Sequence, residues 1–139
     1  MKLKDSSLFR QQCYVDGAWI GAPGGAALDV TNPATGARIG TVPVLGAAET
    51  EQAVAAAHRA FPAWSAKTAK ERGALLRRWY ELILANADDI GTLMTAEQGK
   101  PLAEARAEVT YAAAFVEWFA EEAKRLYGDV IPGHQADKR

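Results

Sequence analysis

The chain has 139 residues, 49% of them hydrophobic and 24% charged, the mixture of an ordinary globular protein. Sixteen Lys+Arg against seventeen Asp+Glu leave a net charge of -1, which excludes a global field that recruits nucleic acid or an anionic membrane. The longest uncharged run, 17–28, holds four glycines and a proline, which excludes a membrane-spanning helix, and the single cysteine, Cys13, excludes an internal disulfide.

The opening MKLKDSSLFRQQ has no apolar signal core, so a cytoplasmic protein is expected. Residues 1–46 hold ten of the chain's eighteen glycines and prolines, set among short β-prone runs. Tyr14, Val15, Ala18, Trp19 and Ile20 flank Asp16-Gly17, a hairpin signal. Leu28 to Thr31 alternates before Asn32-Pro33, where the proline ends a strand, and Ile39 to Val42 is a third short strand. The expectation is one small antiparallel layer of about three strands.

From Gly46 the apolar period becomes helical. A first helix over 47–60 carries Val54, Ala57 and Phe61 on one face, and Pro62 is expected to stop it. Thr68 and Glu71 form a capping-box pair ahead of a second helix, whose stripe is Leu75, Leu76, Trp79, Leu82 and Ile83. Asp88-Asp89 suits the positive end of a third helix, which Gly99 closes, with Pro101 as the first residue of a fourth. That fourth helix repeats Leu102, Ala105, Val109, Ala112, Val116, Ala120, Ala123 and Tyr127 up to Gly128, about 27 residues or roughly 40 Å. Short antiparallel strands followed by four helices make the fold class α+β. The end, from Val130, reads equally as a chain cut between elements or as a frayed terminus.

No catalytic constellation emerges from the residues themselves. Cys13 has no histidine near it in sequence and no helix start to activate it. His58 borders the first helix stripe and His134 lies in the tail, too far apart for a metal pair. Gly17, Gly21, Gly24 and Gly25 match neither glycine-rich phosphate loop.

Three runs nevertheless carry a family pattern: VDGAW at 15–19, DVTNPATG at 29–36 and AHRAFPAW at 57–64. With TAEQGKPLAEA at 95–105, they resemble the aldehyde dehydrogenase superfamily. FVEWFAEEAK at 115–124, the tail IPGHQADKR at 131–139 and the opening KDSSLFRQQ at 4–12 resemble its bacterial succinate-semialdehyde dehydrogenase branch.

That resemblance implies an N-terminal segment of a longer oxidoreductase: a strand layer over 1–46, the helical part of an incomplete cofactor-binding domain over 47–129, and the start of an oligomerisation arm over 130–139. For the longer enzyme it implies that a cysteine thiolate attacks succinate semialdehyde. Hydride then passes to NAD or NADP, and glutamate-activated water releases succinate. The catalytic and cofactor-binding residues are expected outside these 139 residues, so the segment alone is expected to be inactive. Tyr111 and Phe115 are expected at the mouth of the substrate tunnel, with helix core or rim as their plainer reading. Val30, Thr31 and Glu108 match positions that hold a monovalent cation in some relatives, an oxygen donor set that suits a hard ion. The complete protein is expected to be a homo-oligomer, dimer or tetramer, acting on a small-molecule aldehyde without nucleic-acid or membrane partners. Two alternatives stand beside it: a self-contained helical interaction module, and a relative acting on glutarate semialdehyde.

Overall fold

The computed structural model describes residues 1–137. They form four short strands and then four α-helices: β1 (Cys13–Val15), β2 (Ala18–Ile20), β3 (Ala27–Thr31), β4 (Arg38–Pro43), α1 (Ala47–Ser65), α2 (Ala69–Ala85), α3 (Ala87–Gln98) and α4 (Leu102–Glu122). The α+β order expected from the sequence is present.

The strands do not form one layer. They pair as two separate antiparallel hairpins, β1 with β2 and β3 with β4. Asp16 and Gly17 both have positive φ, 51° and 80°, the backbone that a two-residue hairpin turn requires. Tyr14 lies opposite Trp19, their ring centroids 5.3 Å apart. In the second hairpin Val30 pairs with Gly40 and Thr31 with Arg38, so Ile39 is the extra residue of a bulge. Arg38 Nε also reaches Asp29 Oδ1 at 2.7 Å across the ladder.

Pro62 does not end the first helix, which runs on to Ser65. Proline removes one ladder bond, and the last turn closes beyond it: the Ala66 N–H donates to the Pro62 carbonyl at 3.1 Å, as does the Ser65 hydroxyl. The expected inner face of α1 is also displaced. Ala56 is buried, whereas Val54 and Phe61 are exposed. Arg59 ties this helix to the first hairpin turn, its guanidinium 2.9 Å from Asp16 Oδ2.

The start of α2 is as the capping pair requires. Glu71 accepts the Thr68 N–H at 2.8 Å while Thr68 Oγ1 accepts the Glu71 N–H at 3.3 Å. Gly99 ends α3 in the left-handed region at φ 80°, its N–H donating to the Thr95 carbonyl at 2.9 Å. Pro101 is extended and stands just before α4 rather than inside it.

The core is the seam that α4 makes with α2 and α3. Ala105, Ala113 and Ala120 are fully buried and Val109 nearly so. The buried position in the middle turns is thus Ala113, one residue on from the expected Ala112, which is exposed. Gly73 of α2 is buried there because a Cβ at that position would stand 2.8 Å from the Ala120 carbonyl oxygen. Small residues on both sides let two helix backbones touch. Arg77 closes the seam's edge with 2.7 Å to Glu117.

The fourth helix is shorter than its apolar pattern. It ends at Glu122, a 3-10 turn follows over Ala123–Arg125, and Leu126 and Tyr127 are exposed. Residues 126–137 form no strand or helix. The last two positions of the expected arm, Lys138 and Arg139, lie outside the described residues.

Candidate functional site

The outer face of α4 carries the residues singled out for the substrate tunnel. Tyr111 and Phe115 are one turn apart, their rings edge to face with centroids 5.0 Å apart. Both lie off the buried seam, at 66% and 49% exposure. Ala114, Trp118 and Phe119 complete a shallow apolar groove of about 320 Å³ around them. Trp118 and Phe119 were not among the expected site residues. Their signal was in the sequence, since positions 111, 115, 118 and 119 share one helical face.

The three expected cation positions fall on two elements. Val30 and Thr31 end β3 beside the bulge, and Glu108 is in the second turn of α4. The Glu108 carboxylate holds the Lys100 ammonium, so this anionic oxygen already has a cationic partner from its own chain. Nearby, the side chain of Pro33 rests on Gly99: a Cβ there would lie 2.9 Å from Pro33 Cγ. The turn after β3 and the loop before α4 are therefore in contact. Thr95 Oγ1 is buried in the same region without a hydrogen-bond partner. No group of three His, Cys, Asp or Glu suited to a metal ion occurs among the described residues.

The remaining titratable candidates are dispersed. Cys13 is a half-buried free thiol at the start of β1. His58 is exposed on α1 and His134 is exposed in the tail. Gly17 leads into β2, while Gly24 and Gly25 form a turn that leads into β3; no helix N-terminus stands behind either. A dinucleotide needs its pyrophosphate set on a glycine turn at a helix start. Neither glycine turn has that arrangement.

One buried carboxylate escaped sequence reasoning. Asp89, 5% exposed, accepts the backbone N–H groups of Lys4 at 2.9 Å and Asp5 at 2.8 Å. An acidic residue in the first turn of a helix reads as a dipole partner, and nothing in its spacing points to a chain 84 positions away. No helix among the described residues is long and apolar enough to cross a membrane.

Comparison with known proteins gives this arrangement a context. The family model described as "Aldehyde dehydrogenase family" matches residues 19–139. The chain is 65% identical, over all 139 residues, to a glutarate-semialdehyde dehydrogenase of Pseudomonas putida, of which it covers 29%. It is 62% identical over the same span to the NADP(+) succinate-semialdehyde dehydrogenase of Escherichia coli, again covering 29%. A crystal structure described as an E. coli NADP-dependent enzyme superposes on 98% of the chain with a TM-score of 0.95 and 61% identity; 28% of that structure is covered. The chain thus spans less than a third of the length of these relatives.

Proposed function

Because the chain belongs to the aldehyde dehydrogenase family, we propose that it serves as the N-terminal part of an NAD(P)-dependent semialdehyde dehydrogenase. The observation that carries this reading is collinear identity above 60%, from end to end of the chain, with enzymes named for succinate and glutarate semialdehyde. Such coverage leaves little room for a separate helical interaction module. The substrate class is a short aldehyde with a carboxylate at its far end, oxidised to the dicarboxylate. Succinate semialdehyde is the first candidate, and glutarate semialdehyde is the second because a relative at 65% identity carries that name. NADP is the favoured cofactor, since the E. coli relative's name includes it.

In this reading the segment contributes walls and supports, with the chemistry supplied by other parts of a protein of the relatives' length. Residues 1–46 supply two antiparallel hairpins, 47–129 the helical side of the cofactor domain, and 130–139 the start of an association arm in a cytoplasmic homo-oligomer. Tyr111 and Phe115 offer an apolar lip past which an aldehyde chain enters, and the exposed groove on α4 supports that role. A monovalent cation on Val30, Thr31 and Glu108 would share the Glu108 carboxylate with Lys100.

A steady-state assay tests the reading. A full-length protein carrying this segment is expected to reduce NADP with succinate semialdehyde, and the 139-residue chain to show no turnover. Comparing kcat/KM for the four- and five-carbon semialdehydes ranks the two substrates. Absence of aldehyde oxidation by the full-length protein, or turnover by the chain alone, overturns it. A melt in KCl against choline chloride tests the cation: Glu108→Gln is expected to abolish any potassium-specific rise.

A further inference from the structure

We propose that residues 1–12 form a detachable strap that latches α3 to β4, with the Asp89 carboxylate as its catch. The attachment is made at three points. At the first, each Asp89 oxygen accepts one backbone N–H, from Lys4 and Asp5 in succession, and the neighbouring Asp88 takes the Lys4 ammonium at 2.9 Å. At the second, Phe9 covers Gly40 of β4, where a Cβ would fall 2.6 Å from the ring tip. At the third, Gln11 Oε1 accepts the Thr41 N–H at 2.8 Å.

Between these points the strap is thin. None of its twelve residues is fully buried, and its only regular element is the 3-10 turn Ser6–Leu8, capped by Asp5. A cavity of about 380 Å³ lies under it, lined by Met1, Leu3, Phe9 and Ile39 among others. A segment with so few buried contacts, held by a handful of hydrogen bonds, opens at lower free energy than the helical core of α2, α3 and α4. Yet its catch is a desolvated carboxylate whose hydrogen bonds to N–H groups are of the strong, charge-assisted kind. Those two properties together make an element that is either fully docked or fully released. Because one end sits on α3 and the other on β4, release also frees the hairpin that carries Val30 and Thr31.

Amide hydrogen exchange of the 139-residue chain, resolved by residue, tests the latch. Asp89→Asn keeps the shape but turns one acceptor into a donor. It is expected to speed exchange at Lys4 and Asp5 about tenfold or more, and to speed the distant Thr41 amide by a similar factor while amides in α2 and α4 keep their protection. Deleting residues 1–5 removes both donors without touching α3 and is expected to raise Thr41 exchange in the same way. An unchanged Thr41 amide in either variant overturns the proposal, since the contact at Asp89 is then a local pin. Loss of helical circular dichroism in both variants also overturns it, because the segment is then an obligate part of the fold.

Discussion

The two faces of α4 differ in kind. Toward α2 and α3 its buried residues are Ala105, Val109, Ala113 and Ala120, none larger than valine. Toward solvent it presents Tyr111, Phe115, Trp118 and Phe119, between 49% and 66% exposed. The inner face is complete: backbones approach so closely that glycine and alanine fill the space, and what holds the helices is dispersion at short range. The outer face is incomplete in the same terms. Its rings line one shallow groove with Ala114. A contiguous apolar surface of this kind marks a place of contact. The contrast separates what this segment does for itself from what it offers to others.

The strongest way to break the comparison is to fill the seam. Gly73→Val puts a branched side chain where even a Cβ lies 2.8 Å from the Ala120 carbonyl oxygen, and backbone cannot step aside cheaply. Overpacking of this type costs about 3 kcal/mol, so the urea midpoint is expected to fall sharply at constant slope. A midpoint that barely moves would mean the helices are not in backbone contact. Gly99→Ala is next. The residue sits at φ 80° and a Cβ meets Pro33, so left-handed strain alone costs about 1–2 kcal/mol. Its expected signature is a lower melting temperature together with looser protection of the Asn32-Pro33 turn.

On the outer face the expected change in stability is small and the change in behaviour large. Replacing Trp118 and Phe119 by glutamine removes exposed side chains, which shifts stability by no more than about 0.5 kcal/mol. Binding of a hydrophobic dye and concentration-dependent association are expected to drop together. If instead the double variant melts much earlier, these rings pack in solution against something of the chain's own, and the face is not open.

How much of this was legible depends on the range of the interaction. The Thr68–Glu71 box, the Asp16-Gly17 turn and the Gly99 stop are local chemistry, decided within four residues, and each is found where the sequence put it. The family pattern at 95–105 and 29–36 was equally readable, because it resides in residue identity. What sequence periodicity could not decide was which apolar residues are covered. Leu75, Trp79 and Leu82 have helical spacing and remain half exposed, since spacing gives a face its direction and only a neighbour gives it burial. Ala112 and Ala113 are equivalent in composition, and the seam alone chooses between them. Pro62 looked like a stop because its missing N–H is a local loss; Ala66 and Ser65 supply bonds to its carbonyl one turn later. Asp89 was the hardest to foresee, because its partners are 84 and 85 residues away.

The smallest expected effect concerns charge at the edge where the N-terminal segment meets α3. Asp88 is held below its ordinary carboxylate value, first by the hydrogen bond from Lys4, then by the charges of Lys4 and Arg106. The Lys4 ammonium is raised by the same contact, with Asp89 adding to it and Arg106 opposing. A carboxylate depressed in the folded state lends stability above its unfolded value and loses it as pH falls through the folded one. Acidification below the ordinary aspartate range is therefore expected to weaken this edge, whereas the seam, which has no titratable group among its buried residues, should not respond. Both partners are solvent-exposed, so the effect should also shrink as salt is added. Lys4→Met is expected to flatten the acid limb of the melting-temperature profile and leave the profile near neutrality almost unchanged. An acid limb of undiminished slope in that variant would place the acid-sensitive contact elsewhere in the molecule.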